Sequence, residues 1–237
     1  TRVYNYPDLA TVVGYNHPIY GQSGLEAALD EYLRGLRGNP STTIWWNHLL
    51  YGMAPNGLDV RLSLDLYLQY RADEMMRGHR GAVILLNAQT GEIYIMSSHP
   101  TFDPSRLDEI GTNLNKDPNK PLINRATQGL YPIGTMAEPF EQALHGNKTL
   151  TPDEVEAVYE TFGFQRAPLL RMQTAEPTTD PEGNDLHISP LQVALASAAL
   201  SNHGTIPAPH IAMAVNTPNA GWVSLPALGT PFEALQA

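Results

Sequence analysis

A predicted β-hairpin at residues 82–96 constrains the fold of this chain more than any other sequence feature. Two runs rich in aliphatic and β-branched residues, 82–86 and 92–96, are separated by a short turn that closes at Gly91. The first run, Ala-Val-Ile-Leu-Leu, is continuously apolar, which is typical of a strand covered on both faces. We therefore expect two antiparallel strands of a central sheet.

Helices are predicted on both sides of this hairpin along the chain. Apolar residues at a spacing of 3.6 predict a helix over 25–36. A second helix is expected over 66–76, with Asp65 as its N-cap. The alanine-rich run 191–200 predicts a buried helix that packs against the hairpin.

Further elements complete a mixed pattern. Alternating apolar residues predict a strand over 59–64. The run Thr151-Pro-Asp-Glu154 predicts a helix that starts there and ends near Gly163, because it places an N-cap, a proline at N1 and a glutamate at N3. Residues 100–120 and 165–187 are expected to be loops. Helices and antiparallel strands in this order predict an α+β fold.

Composition excludes several classes of function. The chain has 237 residues, 42% of them hydrophobic, and a net charge of −10. An acidic chain argues against nucleic-acid binding and against a basic membrane-surface face. Without cysteine, disulfides and thiol chemistry are not available. The eight histidines show no metal-binding spacing, so we expect neither a metal site nor a cofactor.

The segment Tyr131-Pro-Ile-Gly-Thr-Met-Ala-Glu-Pro139 is the main candidate for a catalytic site. It is similar to the nucleophile motif of class B penicillin-binding proteins, which runs YPPGS-x-x-KP and opens a helix. Other phrases of this chain resemble segments of the same family in the same order. The matching phrases are 6–35, 58–76, 81–104, 121–135, 162–164 and 188–204.

The resemblance implies a fold of the serine β-lactamase and DD-peptidase type, with a central antiparallel sheet flanked by helices. It implies peptidoglycan D,D-transpeptidase activity, which in the family needs the motifs S-x-x-K, S-x-N and K-T/S-G around one pocket. Here the first motif reads Thr135-Met-Ala-Glu138. No serine is followed two residues later by asparagine, and only 26 residues separate Thr135 from Thr161. We therefore expect a shortened helical subdomain.

The third motif has no clear counterpart. The only Lys-Thr pair is Lys148-Thr149, which lies in the wrong part of the sequence. Residues 227–230, Ala-Leu-Gly-Thr, are an alternative counterpart. The motif could also lie beyond Ala237 in a longer protein.

Two roles are open for Thr135 and Glu138. In the family the lysine takes the proton of the serine, so Thr135 could be a nucleophile and Glu138 its base. Alternatively, Thr-x-x-Glu is the pattern of a capping box, in which Thr135 accepts from the backbone of Glu138 and Glu138 reaches back. We favour the cap, because the negative charge of Glu138 opposes an oxyanion.

Two further pairs have structural interpretations. Trp45-Trp46 could stack on sugars, but we favour a buried or interface pair. Asn124-Arg125 matches a family phrase in which the arginine is structural.

We expect a penicillin-binding-protein-like cell-wall protein whose transpeptidase site is degenerate and which acts as a non-catalytic binding or scaffold domain. The alternative is an acyl-transfer enzyme that uses Thr135 as its nucleophile. Residues 1–58 are predicted to be an N-terminal interaction segment and 59–237 the transpeptidase-like domain.

The same resemblance predicts location and partners. The expected partners are peptidoglycan-synthesis proteins, including a membrane glycosyltransferase, or wall peptide. No run of 18 apolar residues exists in the chain. The chain opens at Thr1 without a methionine and mid-pattern, so we expect an extracytoplasmic domain of a bacterial cell, anchored by a segment upstream of Thr1.

Overall fold

The helices of the protein are short and spread along the whole chain. A computed structural model describes residues 3–181 and 185–235. The helices formed by these residues are α1 (Ala10–Val13), α2 (Gly24–Ala28), α3 (Asp30–Leu33), α4 (Ser41–Tyr51), α5 (Leu66–Met76), α6 (Leu107–Leu114), α7 (Glu138–His145), α8 (Pro152–Thr161) and α9 (Pro190–Ser201).

The strands form small antiparallel sheets. The described strands are β1 (Asn16–His17), β2 (Gly21–Gln22), β3 (Val60–Leu62), β4 (Gly81–Leu86), β5 (Ile93–His99), β6 (Tyr131–Pro132), β7 (Thr178–Thr179), β8 (Leu186–Ile188), β9 (Thr205–Ile206), β10 (Ala212–Thr217), β11 (Gly221–Ser224) and β12 (Phe232–Glu233). Their sheets have the orders β1-β2, β11-β10-β3, β12-β9, β4-β5 and β6-β8-β7.

The predicted hairpin is confirmed, and its register runs from Gly81 opposite His99 to Leu86 opposite Ile93. The burial prediction was wrong, however. Strand β4 is half-buried and Leu85 is exposed, whereas β5 is buried along nearly its whole length. The reason is packing: α5 covers β5, and the bond from Ile93 to His210 continues on its other side, whereas among the described strands β4 pairs only with β5.

One continuous central sheet does not form among the described residues, although backbone hydrogen bonds connect the small sheets. Asp65 donates to Tyr94 at 3.0 Å, and Ile93 donates to His210 at 2.9 Å. These bonds hold the hairpin beside the sheet of β3, β10 and β11. Helix α5 packs mainly on β5, and α9 packs on β4 as predicted.

Several helix predictions are confirmed in detail. Helix α5 covers the predicted residues, and the Asp65 carboxylate accepts from the backbone N–H groups of Tyr67 and Leu68. Helix α8 begins with the predicted capping box of Thr151 and Glu154. Helix α9 has a buried, alanine-rich face.

Other predictions were wrong. The predicted helix 25–36 is two short helices, α2 and α3, because the backbone at Leu29 leaves the helical region. The predicted loop 100–120 contains α6, which Leu107 anchors in a small second core with Phe102. Helix α4 was not predicted.

The main hydrophobic core joins the N-terminal segment to the rest of the chain. Leu9, Val12 and Leu25 belong to the same buried cluster as Ile93 and Leu191. The boundary at residue 58 stays a prediction. No helix in the described ranges has the length and hydrophobicity needed to cross a bilayer.

Candidate active site

The candidate motif begins on a short strand and turns at once into a helix. Tyr131 pairs with Ile188 through β6 and β8, and the N–H of Ile133 donates to the carbonyl of Leu186 at 2.9 Å. A 3₁₀ turn over Gly134–Ala137 follows, and α7 begins at Glu138. The strand therefore fixes where the turn starts, directly before Thr135.

The residues around this turn divide into two that are buried and others that face solvent. Ile133 and Ala137 are each at most 3% exposed and hold the turn to the core. Thr135 and Glu138 both face solvent. Gly134 has φ +49°, the left-handed region that suits glycine. The two candidate side chains thus stand on the outer surface of a well-anchored turn.

The predicted capping box of Thr135 and Glu138 was wrong. Neither the 3₁₀ turn nor α7 has a side-chain cap. A capping residue needs an extended backbone, and Thr151 (ψ 160°) and Ser189 (ψ 151°) meet this condition and form capping boxes. Thr135 instead lies inside the 3₁₀ turn. Its role and that of Glu138 in any chemistry stay predictions.

An apolar groove of about 370 Å³ lies next to the motif. Met136 of the 3₁₀ turn lines it, together with residues of β4, β6, β8 and α9. These other lining residues are Gly81, Ala82, Ile84, Tyr131, Ile188, Pro190, Val193 and Ala194. Among the described residues that line the groove, Tyr131 is the only one with an ionisable side chain.

A cluster of three aromatic rings anchors α7 in the core. The ring of Phe140 lies 4.9 Å from that of Phe162 and 5.1 Å from that of Phe164. All three rings are at most 2% exposed. The phrase Phe162-Gly-Phe164 therefore positions the helix that follows Thr135.

A buried polar cluster was missed by sequence reasoning. Asp73 is 1% exposed, and four side chains contact its carboxylate. Tyr6 donates to Oδ2 at 2.8 Å and Ser97 donates to Oδ1 at 2.6 Å. Gln69 donates to both oxygens, and His99 Nε2 lies 3.1 Å from Oδ1. This arrangement satisfies a buried charge, and of its members Tyr6 also lines a cavity of about 250 Å³ at the N-terminal segment.

Arg125 is a second buried charge. Its Nη2 donates to the carbonyl of Asn119, and its Nη1 has no hydrogen-bond partner in the described residues. Burial lowers the pKa of this guanidinium. The backbone N–H of Arg125 donates to Ser98 at 2.9 Å, so the residue fastens its loop to β5, in agreement with the structural role expected for it.

The remaining sequence candidates do not converge on Thr135. Residues 227–230 form no strand, and Gly229 and Thr230 line a different cavity, of about 360 Å³. Trp45 and Trp46 are exposed, so the expectation of a buried pair was wrong, and the interface interpretation stays open. Within the described ranges, no three His, Asp or Glu side chains gather as a metal site would need; the expectation of no metal stays a prediction.

The fold is that of penicillin-binding protein transpeptidase domains. Penicillin-binding protein A from M. tuberculosis, as its ceftriaxone acyl-enzyme complex, superposes with a TM-score of 0.82 over 99% of this chain and 71% of that chain, at 21% identity. The D,D-transpeptidase domain of a peptidoglycan glycosyltransferase from Eggerthella lenta gives a TM-score of 0.79 over 100% of this chain and 72% of that chain, at 22% identity. The predicted α+β fold class is therefore confirmed.

Sequence comparison finds similarity to the same group of proteins, the peptidoglycan D,D-transpeptidases. MrdA of Acinetobacter baumannii is 33% identical over 171 residues, which cover 60% of this chain and 25% of that protein. PbpA of Mycolicibacterium smegmatis is 25% identical over 309 aligned positions, which cover 94% of this chain and 62% of that protein. No family model matches the chain. The resemblance inferred from the motifs is confirmed.

The chain is shorter than these relatives. It spans about a quarter of the A. baumannii protein and 62% of the M. smegmatis protein. The alignment with the latter has 309 positions, more than the 237 residues of this chain. The relative therefore has residues inside the aligned region that this chain lacks.

Proposed function

We propose that this chain is a penicillin-binding-protein-like cell-wall domain that forms no covalent acyl-enzyme and acts by contact. The observation that carries the proposal is the pair at the nucleophile motif. Thr135 and Glu138 stand where the family has serine and lysine. Both face solvent, and neither side chain has a hydrogen-bond partner among the described residues.

The side chains of Thr135 and Glu138 disfavour formation of an acyl-enzyme. A serine nucleophile in this motif needs a nearby base and a site that stabilises the developing oxyanion. A threonine side chain is stiffer at χ1, and its methyl group crowds the attack path. The carboxylate of Glu138 introduces negative charge one helical turn away, where the family places a cation. Both changes raise the barrier to forming an acyl-enzyme.

The rest of the chain supports the same proposal. No Ser-x-Asn occurs in the sequence, and its one Lys-Thr pair, Lys148-Thr149, is followed by Leu150. Lys148 is also engaged elsewhere, because its Nζ donates to Glu154 at 2.6 Å. The M. smegmatis protein has residues inside the aligned region that this chain lacks. This difference agrees with loss of the subdomain in which the family carries Ser-x-Asn.

The proposed location and partners follow from homology. The relatives are named peptidoglycan D,D-transpeptidases, and peptidoglycan lies outside the cytoplasmic membrane. We place this domain on the extracytoplasmic face of a bacterial membrane, with peptidoglycan-synthesis proteins as partners. Residues 1–58 would meet a membrane glycosyltransferase, and wall peptide is the alternative ligand.

One observation favours acyl transfer as a second candidate. Thr135 lies beside Met136 at the edge of the apolar groove, in a turn fixed by Ile133 and Ala137. A substrate in that groove could meet the hydroxyl, with Glu138 as the base. Fluorescent-penicillin labelling beside an active relative separates the candidates. The contact proposal predicts an unlabelled band, and specific labelling that unlabelled penicillin competes away would contradict it.

A further inference from the structure

A cavity of about 360 Å³ plays no part in the proposed function. Its lining comes from residues 162–169, helix α9, residues 206–209 and residues 229–232. None of the described residues that line it also lines the groove next to the nucleophile motif. The cavity is therefore a second and separate candidate site.

The deep part of this cavity is apolar. Phe162, Leu195 and Ile206 are buried there and belong to the main hydrophobic core. Leu169 and Phe232 also line it and are 61% and 42% exposed, so the apolar lining continues to the opening. Such a lining can remove a hydrocarbon chain from water, which is favourable in proportion to the apolar area buried.

The walls of the cavity are preformed. Pro168, Pro207 and Pro209 line it, and a proline ring fixes the backbone φ angle. Ile206 pairs with Phe232 through strands β9 and β12. A ligand would therefore meet a cavity that needs little ordering, which lowers the cost of binding.

Arg166 is the only residue with an ionisable side chain among the described residues that line this cavity. Its guanidinium has no hydrogen-bond or ion-pair partner in the described ranges. Arg106, in contrast, pairs with Glu109 at 3.0 Å. Glu176 accepts from the backbone N–H of Ala167 at 3.3 Å and forms no ion pair with Arg166. The cavity therefore offers an unpaired cation beside an apolar lining.

The backbone that carries Arg166 is fixed by a buried side chain. Gln192 donates through Nε2 to the carbonyl of Phe164 at 2.9 Å and to that of Arg166 at 3.0 Å. Its Oε1 accepts from the backbone N–H of Ser189 at 2.9 Å. Gln192 thus has no N–H left for a ligand, and the polar side chains that remain in the described lining are those of Arg166 and Thr230.

These groups favour one class of ligand. A single guanidinium can bind one carboxylate through two parallel hydrogen bonds. A doubly charged phosphate would keep uncompensated charge beside a chain whose net charge is −10. A peptide would bring several backbone N–H and C=O groups into an apolar lining that has few partners for them. An aliphatic chain has no polar group to satisfy.

We propose that this cavity binds an aliphatic monocarboxylate of medium chain length, with the chain inside the cavity and the carboxylate on Arg166. A volume of 360 Å³ holds about twelve non-hydrogen atoms at about 30 Å³ each, and octanoate is within that size. The site does not depend on the proposed function, because neither Thr135 nor Glu138 lines it.

Isothermal titration calorimetry of the whole chain with octanoate and with 1-octanol tests the proposal. The unmodified chain should bind octanoate more tightly than 1-octanol. Arg166→Gln should weaken octanoate binding at least about tenfold, the scale of a hydrogen bond to a charged group, and should change 1-octanol binding by less than about twofold. The matched control, Arg106→Gln, removes an arginine from the surface and should leave both affinities unchanged within about twofold.

Gly229→Leu tests the location of the site. A Cβ at Gly229 would lie 3.6 Å from Leu169 Cβ and 3.9 Å from Ala208 Cβ, which is ordinary van der Waals contact. The leucine side chain would then fill the space between these two walls. It should weaken binding of octanoate and of 1-octanol alike, at least about tenfold, because a close-packed cavity has no room for both side chain and ligand.

Leu169→Glu gives a second variant that leaves the deep part of the cavity unchanged. Leu169 is exposed, so the fold should tolerate the change. The added carboxylate would compete for Arg166 and should weaken binding of octanoate more than that of 1-octanol. Circular dichroism of every variant checks that the fold is kept.

The contrary outcomes are distinct. Absence of octanoate binding to the unmodified chain would overturn the proposal. So would binding that Gly229→Leu leaves unchanged, because the ligand would then lie elsewhere. Equal loss of octanoate and 1-octanol in Arg166→Gln would show that the carboxylate does not lie on Arg166. Tighter binding of N-acetyl-leucyl-leucine than of octanoate would identify a peptide as the ligand and would also overturn the proposal.

Discussion

The phenol of Tyr6 donates a 2.8 Å hydrogen bond to the carboxylate of Asp73, which lies 67 residues further along the chain. Tyr6 belongs to the N-terminal segment, and Asp73 is buried on α5, which packs on the central hairpin. Burial, reinforced by the carboxylate of Asp73, raises the pKa of Tyr6. The bond therefore joins the N-terminal segment to the transpeptidase-like core through a buried charge.

Tyr6→Phe should destabilise the protein by about 1.5–3 kcal/mol, the usual cost of losing a hydrogen bond to a charged group. Urea unfolding measures the loss. Tyr20→Phe is the control, because the Tyr20 hydroxyl contacts Thr112 at 3.3 Å on the surface and should cost less than about 1 kcal/mol. A Tyr6→Phe variant as stable as the unmodified chain would show that Asp73 does not need this donor.

Asp73→Asn should interact with Tyr6→Phe. The double variant should cost less than the sum of the single variants, because each single change breaks the same bond. A double-variant cycle by urea unfolding gives the coupling energy. Simple additivity would contradict the link between these two residues.

The first residues of α7, α8 and α9 differ in whether a side chain caps the helix. Ser189 and Gln192 form a buried capping box, with Ser189 Oγ accepting from Gln192 N at 3.3 Å. Ser189→Ala should cost about 1–2 kcal/mol and Thr151→Ala about 1 kcal/mol. Thr135→Ala should stay within about 0.5 kcal/mol of the unmodified chain, because Thr135 caps no helix. A loss near 1 kcal/mol at Thr135 would restore the capping interpretation.

Acid should weaken the ion pair between Lys148 and Glu154. The pKa of Glu154 is lowered from 4.5 to about 2, mainly because Lys148 Nζ donates to it and then because Thr151 donates from its backbone and side chain. A lowered folded-state pKa stabilises the fold above the unfolded value and loses that effect as the pH falls toward the folded value. The stability difference between the unmodified chain and Glu154→Gln should therefore shrink between about pH 4.5 and 2.

Glu154→Gln is suited to this comparison, because glutamine keeps the capping geometry and removes only the charge. Salt should reduce the effect, since the pair lies on the surface. A difference that grows on acidification would have the wrong sign and would exclude this ion pair as its source.

Partial restoration of the family's Ser-x-x-Lys motif should not produce rapid reaction with penicillin. Thr135→Ser alone keeps the carboxylate of Glu138, and Thr135→Ser with Glu138→Lys still lacks Ser-x-Asn and Lys-Thr-Gly. Both variants should label with fluorescent penicillin at under about 1% of the rate of an active relative, the scale of loss when a positioned catalytic group is missing. Rapid labelling of the double variant would show that the remaining site is complete.

Local patterns in the sequence predicted local structure well. Asp65 before α5, Thr151 before α8 and Gly91 in the hairpin turn act on their immediate neighbours, so their effect is visible in sequence. Helix α6 was within reach of the same reasoning, because Leu107, Ile110 and Leu114 follow helical spacing.

Long-range geometry could not be predicted in this way. Asp73 meets Ser97 and His99 only after α5 packs on β5, and nothing local marks that contact. The capping box predicted for Thr135 and Glu138 was wrong for the same reason. The pattern Thr-x-x-Glu is identical in capped and uncapped starts, and the strand pairing of Tyr131 determines that the chain enters a 3₁₀ turn there.

The most direct test of the central claim is the intact mass of the chain after incubation with excess benzylpenicillin, under conditions that fully acylate an active relative. A chain that acts by contact, without a working nucleophile at Thr135, should keep its unmodified mass. A stable increase equal to one penicillin molecule, located by peptide mapping on Thr135, would contradict the account and identify the chain as an acyl-transfer enzyme.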